Sequence, residues 1–445
     1  MKKIIIPKNI VTANSENSIL YNSAIVVEDG IIKRIISTDD VSLLRNEYEI
    51  HNYENYTLIP GFIQTHIHLC QTLFRGLADD LELLDWLQKK IFPFENAHDE
   101  NSLRISTQLG INELLKGGTT TILDMGTLHH QEIIFDELIK SGMRAYAGNC
   151  MIDRNDLYPK FSESTKWNLD NTYQWAKTFH NSSDGKIKFG FAPRFVLSCS
   201  ENLLIETKEM MNDFKGSLYH THSSENKKEV ETVRKITGKD NVEYFDSINI
   251  LDDKTVLAHC IHLSDDEVKI LNKNNSRVSH CPSSNLKLGS GIANIPKLIE
   301  NKISVSIGAD GAPCNNSLSI FKEMHLTALI QKPLHGPTSM DALTVFRLAT
   351  IEGARALHLE NEIGSIEVGK KADFVLLDLN KSDQPINVNE NIYSAIVYSA
   401  DKSNVKAVFV DGIQLVNDSK VKFYDENLLL ENAKTELKKL IERTI

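Results

Sequence analysis

The chain alternates between short, nearly unbroken apolar runs and longer stretches in which apolar residues recur every three or four positions. Eight of the runs have strand length: LIPGFIQTHIHL at 58–69, TTTILDM at 119–125, RAYAGNCM at 144–151, KIKFGFAP at 186–193, SLYHTHSS at 217–224, TVLAHC at 255–260, SRVSHCP at 276–282 and ISVSIGAD at 303–310. Such β-favouring runs, with little polar alternation, are what parallel strands buried on both faces look like. The segments between them, such as ENSLRISTQLGINELLKGG, HQEIIFDELIKSG and DDEVKILNKN, carry helical spacing. Eight strand-then-helix units over about 270 residues predict a (β/α)8 barrel of the TIM type, class α/β. A doubly wound sheet is the competing arrangement, and the absence of a glycine-rich phosphate loop after the first strand weakens it.

The flanks have a different rhythm. Residues 1–57 and 363–423 hold short strands punctuated by Asp29-Gly30 and Asp411-Gly412, each between apolar stretches, which is a hairpin signal. They predict one small β-sandwich domain built from both termini, with the barrel at 58–362. The final ENLLLENAKTELKKLIERTI predicts a terminal helix over 424–445.

Composition narrows the function. With 445 residues, 41% of them hydrophobic and 24% charged, the chain is of soluble globular type. Forty-nine Lys and Arg against 60 Asp and Glu give a net charge of −11, a field that repels polyanions, so nucleic acid is not an expected partner. The opening MKKIIIPKNIV is broken by Pro7, far short of a signal-peptide core or a spanning helix, so no membrane is expected and the expected compartment is the cytoplasm. Six cysteines (Cys70, Cys150, Cys199, Cys260, Cys281, Cys314) without a C-x-x-C pair fit reduced thiols. The 15 histidines change the picture, because many lie inside the apolar runs.

His66 and His68 are separated by one residue at the end of the first run. Side chains two apart on a strand point the same way, so both imidazoles can meet one ion in the barrel mouth. Other strand ends carry further ligand types: His220 and His222 on the fifth, with Glu225 three residues beyond His222, His259 on the sixth and Asp310 on the eighth. A buried His can instead bond a carbonyl, and Asp310 can cap the following helix. Imidazole and carboxylate donors with few sulfurs favour one borderline divalent ion, zinc first and iron second.

Across PGFIQTHIHL, HTHSSEN, LAHC, SHCPSSNLKLGSG, GADGAPCNNSL and ATIEGARALHLENEIGSIEVGKKADFVLLDL, the chain resembles the amidohydrolase superfamily. Within it, the resemblance is to the cytosine-deaminase-like group, which includes methylthioadenosine/adenosylhomocysteine deaminases, guanine deaminases and triazine hydrolases. The resemblance implies that His66, His68, His222 and Asp310 bind one metal, that Glu225, His259 and Asp310 form the catalytic set, and that His220 is no ligand. A carboxylated lysine, which serves two-metal relatives, has no good counterpart, since Lys186 and Lys188 precede the apolar part of the fourth strand. A bound divalent ion lowers the pKa of its water towards neutrality. Asp310 can then accept that water's proton, His259 can hydrogen-bond the attacking oxygen, and Glu225 can protonate a ring nitrogen. The expected products are an oxo heterocycle and ammonia.

Substrate signals divide. Gln71 and Arg194 offer donors and acceptors suited to a heterocycle edge and resemble guanine deaminases. RGLADDLELLDWL, with Trp86, and GADGAPCNNSL, with Asn315 and Asn316, resemble the adenosine-type deaminases. Gln71, Trp86, Arg194 and Glu225 are the expected substrate contacts. His280 is expected to shape the site without binding metal, and His129 and His130 to open a polar helix. The preferred expectation is hydrolytic deamination of a 5′-modified adenosine, with guanine or 8-oxoguanine next, and triazine amino- or chlorohydrolysis after it. A catalytically dead scaffold is disfavoured because every ligand, acid and base position is filled. A homo-oligomer is expected by analogy with other barrels.

Overall fold

The computed structural model describes residues 2–380 and 391–444. Eight parallel strands run in sequence order around one sheet: β1 (Phe62–His68), β2 (Thr119–Asp124), β3 (Arg144–Ala147), β4 (Ile187–Pro193), β5 (Leu218–Ser223), β6 (Thr255–His259), β7 (Arg277–His280) and β8 (Ser304–Ile307). Just beyond β8, Asp310–Gly311 pairs in parallel with β1, Asp310 opposite Ile67 and Gly311 opposite His68, which closes the ring. The protein is a (β/α)8 barrel with a second sheet drawn from both termini. Every residue of β1, β2, β3, β5 and β6 is buried, which explains why these strands read as unbroken apolar runs.

The first run, 58–69, turns out to hold parts of two strands. Leu58–Pro60 ends a strand over Glu49–Pro60 of the second sheet, and β1 begins at Phe62. Between them a Cβ on Gly61 would lie 2.1 Å from Thr120 Oγ1, so glycine alone permits the approach.

In the second sheet Lys2–Val11 pairs in parallel with Glu49–Pro60, and Phe374–Leu377 pairs antiparallel with the same strand, Phe374 opposite Pro60. Ile5, Ile25, Leu58, Phe374 and Phe409 form one core cluster and Ile4, Ala24, Val26 and Val41 another, so successive residues serve opposite faces. Both Asp-Gly pairs are two-residue hairpin turns with positive φ at each position (49° and 78°; 47° and 69°).

Contacts divide the chain into two units, Met1–Gln64 with Asn112–Thr121 and Ser319–Tyr424, and Thr65–Ile111 with Ile122–Leu318 and Asp425–Ile445. The site described next lies within the second. Residues 381–390, part of the expected C-terminal β segment, lie outside the described residues. The last helix, Glu426–Thr444, anchors through Arg443, which donates to Ala97 O at 2.7 Å and Ser102 Oγ at 3.0 Å. All six cysteines are buried and none forms a disulfide. Among the described residues no helix is long and apolar enough to cross a membrane.

Candidate metal centre and pocket

The carboxyl ends of β1, β5 and β6 and the Asp310–Gly311 pairing bring the motif residues to one point. Ligand atoms of His66, His68, His222 and Asp310 all lie within 4.8 Å of one another, and all four residues are buried. Asp310 Oδ1 is 3.2 Å from His66 Nε2 and 3.3 Å from His68 Nε2, and His68 Nε2 is 3.3 Å from His222 Nε2. Donors about 2.0–2.1 Å from a tetrahedral ion stand about 3.3–3.4 Å apart, so these spacings suit one zinc-like ion.

Ring orientation is set from behind. His222 Nδ1 contacts Arg194 O at 2.7 Å, and His66 Nδ1 contacts His220 Nε2 at 2.9 Å, leaving both Nε2 atoms aimed at the centre. His66 Nε2 is buried without a hydrogen bond of good geometry. Burial, above all, lowers the pKa of His66, His68 and His222, so the rings are neutral and their lone pairs available. Burial works against a charged Asp310, but His66, His68 and His259 around it outweigh that and hold its carboxyl well below the usual range. Neutral imidazoles converging on a carboxylate fit a divalent cation. His220, as the resemblance implied, stands behind His66 rather than in the cluster.

Glu225 and His259 face this centre. His259 Nε2 is 3.5 Å from Glu225 Oε2 and 3.9 Å from Asp310 Oδ2. Burial first, then the nearby Asp310 and Glu229, push the Glu225 pKa well above the usual carboxylate range, which favours its protonated form. His259 and Asp310 both have positive φ, 74° and 62°, a backbone cost concentrated where the chemistry lies.

A pocket lies over the cluster. Its apolar wall is Leu83, Trp86, Leu87 and Phe195, and Gln71 and Arg194 lie on the polar side. Arg194 is buried. It is 3% exposed, ion-paired with Glu95 (Nη1 to Oε2, 2.9 Å), and set over the Phe92 ring at 5.1 Å. Gln71 Nε2 donates to the other oxygen of Glu95 at 2.7 Å, so one buried carboxylate ties both residues together. Cys70 and Glu95 also come close to His68, but the Arg194 charge already balances that carboxylate.

Two of these partners were missed in the sequence. Glu95, within FPFENAH, reads as an ordinary helix residue. Glu229 accepts from the backbone N–H of Glu225 at 2.7 Å and Asn226 at 3.2 Å, and the Asn226-to-Glu229 capping-box spacing was a visible signal for it. His129 pairs with Glu163 Oε1 at 3.1 Å, and His130 precedes the helix Gln131–Ser141. His280 is fully buried, outside the ligand cluster, with neither ring nitrogen hydrogen-bonded.

This geometry places the protein among the barrel hydrolases that work with a single metal ion. The sequence profile of the amidohydrolase family matches residues 57–415, and the chain belongs to that family. It is 38% identical over 432 residues to a 5-methylthioadenosine/S-adenosylhomocysteine deaminase of Thermodesulfovibrio yellowstonii, covering 95% of each chain. It is 35% identical over 440 residues to a 5′-deoxyadenosine deaminase of Methanobrevibacter smithii, covering 96% of this chain and 99% of the other. Among solved structures, a zinc-bound adenosine deaminase from Xanthomonas campestris superposes with a TM-score of 0.91 at 28% identity, covering 99% of this chain and 98% of the other.

Proposed function

We propose that the protein is a metal-dependent aminopurine deaminase that converts a 5′-modified adenosine (methylthioadenosine, adenosylhomocysteine or 5′-deoxyadenosine) to the corresponding oxo purine and ammonia. The observation that carries this reading is the buried Glu225, 3.5 Å from His259 beside a four-donor metal centre, in a chain whose relatives at 38% and 35% identity are named for those substrates. His66, His68, His222 and Asp310 would hold a divalent ion, which would supply Lewis acidity and lower the pKa of a water at that point. Glu225 gives its proton to a ring nitrogen and makes the amine-bearing carbon electrophilic. Asp310 Oδ2 takes the proton of the attacking water, and His259 Nε2, between the two carboxyl groups, orients the incoming oxygen. The proton collected by Asp310 then leaves with the amine, and the remaining proton of the attacking oxygen returns to Glu225 as the oxo group forms.

The pocket supports a nucleoside over free guanine. Gln71 and Arg194 each commit a donor to Glu95, whereas Leu83, Trp86, Leu87 and Phe195 offer an apolar wall to an uncharged substituent. The six buried cysteines, none in a disulfide, support work in a reducing cytoplasm on a small, freely diffusing heterocycle, and homo-oligomer formation belongs to the same reading. Light scattering checks the oligomer. The decisive assay measures ammonia release in parallel on the three nucleosides, adenosine, guanine, 8-oxoguanine and melamine. Turnover of the 5′-modified nucleosides, about one zinc or iron per chain and loss of turnover in His68→Ala are expected. Activity on guanine alone, or full activity in metal-free protein, would overturn the reading.

A further inference from the structure

The segment SHCPSSNLKLGSG contributes no metal ligand, yet it sends one side chain to the centre. Asn285 lies on the short helix Pro282–Lys287, which follows β7 across Cys281, and its Oδ1 is 2.9 Å from His259 Nδ1. Both side chains are 1% exposed. The backbone around Asn285 is fixed as well: its carbonyl accepts from Ser290 N at 2.9 Å, and Ser290 O in turn contacts His262 Nε2 at 2.7 Å, three residues beyond His259. The loop after β7 and the loop after β6 are thereby tied together at two points.

His259 needs such a tie. Like Glu225 it has no place in the ligand cluster, and its φ of 74° puts it in a backbone region that L residues rarely occupy. The ring nitrogen that faces Glu225 and Asp310 does so at 3.5 and 3.9 Å, too long for firm hydrogen bonds, so those contacts alone do not fix the ring. The only firm side-chain hydrogen bond the ring makes among the described residues is to Asn285.

We infer that Asn285 is the positioning residue for His259, holding Nε2 at the reacting atoms through Nδ1. An uncharged amide suits this place. It supplies the hydrogen bond without adding a third carboxyl group beside Glu225 and Asp310. The kinetic part of the inference rests on the deaminase reading, while the ring position does not.

The test compares metal-loaded wild type, Asn285→Ala and Asn285→Asp by kcat and KM on the accepted nucleoside, by metal content and by crystal structure. In the Ala variant kcat is expected to fall about 10- to 100-fold, as for other partners that orient a site residue, with KM within about threefold and metal content unchanged. The His259 ring should leave its place beside Glu225. Asn285→Asp keeps an oxygen at the same position, so it should restore the ring position and only part of the lost kcat, because it also brings in a further carboxyl group. Asn285→Leu, of the same branched shape, carries the test if the Ala variant does not fold. A His259 ring that stays in place without the amide, or a kcat change under twofold, overturns the assignment. A wild type that turns over no aminopurine would defeat the deaminase reading instead, and the ring position would still decide the role of Asn285.

Discussion

Replacing Glu95 by Ala strands the Arg194 guanidinium in a site where it is 3% exposed and removes the partner of Gln71. Losing one half of a buried pair costs about 3–5 kcal/mol, so urea unfolding of Glu95→Ala should show a loss of that size. The double variant Glu95→Leu/Arg194→Met removes both charges and should regain much of it; equal losses in the two would show that the pair is not what stabilises the wall. At the reaction itself, Glu225→Gln keeps size and polarity but has no proton to give. Its kcat should fall about 10²- to 10⁴-fold, with metal content retained. The residues the motifs single out are those at strand ends, where period-two geometry and ring closure leave little freedom. Glu95, Glu229 and Asn285 come from helices and loops after the strands. Their aim depends on how each helix returns to the barrel, which no local pattern encodes.

The segment that carries Leu83, Trp86 and Leu87 is held to the barrel mostly from its rim. Gly76 N donates to Asn316 Oδ1 at 3.1 Å, Lys287 pairs with Asp79, and Lys228 pairs with Glu82. Asn316, read in the sequence only as a substrate-class marker, here clasps this segment. Trp86 and Glu225 are each 4% exposed, so a nucleoside reaches the centre only if the segment yields. Exposed pairs contribute about 0.2–1 kcal/mol, and Lys287→Met should therefore raise amide exchange over 77–91 by up to about fivefold. Unchanged exchange there would mean that apolar packing alone holds the segment. The barrel strands were legible because burial on both faces leaves a continuous apolar signature, and the Asp-Gly hairpins because only a few residues tolerate two positive φ angles in succession. The division of 58–69 was hidden, since Leu58–Pro60 and Phe62–His68 are equally buried and serve different sheets.

Acid should weaken the whole protein through imidazoles that fold neutral. His98 is buried between Ser102 Oγ and Cys70 O, and burial brings its pKa down to about 4; burial likewise brings His280 down to about 3. Below about pH 6.5 the unfolded chain binds protons at these positions that the native protein refuses, so stability falls as pH drops from about 6.5 towards 4. For His98 the difference corresponds to about 3 kcal/mol across that window. Urea titrations at pH 7.5 and 5 should show a smaller loss in His98→Gln than in wild type, and equal losses would exclude His98 as a source. The six cysteines give the same molecule a second, chemical readout. Each thiol is buried, which shields it from an alkylating reagent while the fold is closed, and burial pushes Cys150 and Cys199 up to about 12. Labelling rates at six positions spread from residue 70 to residue 314 would then time the local openings of the barrel one by one, without an introduced probe.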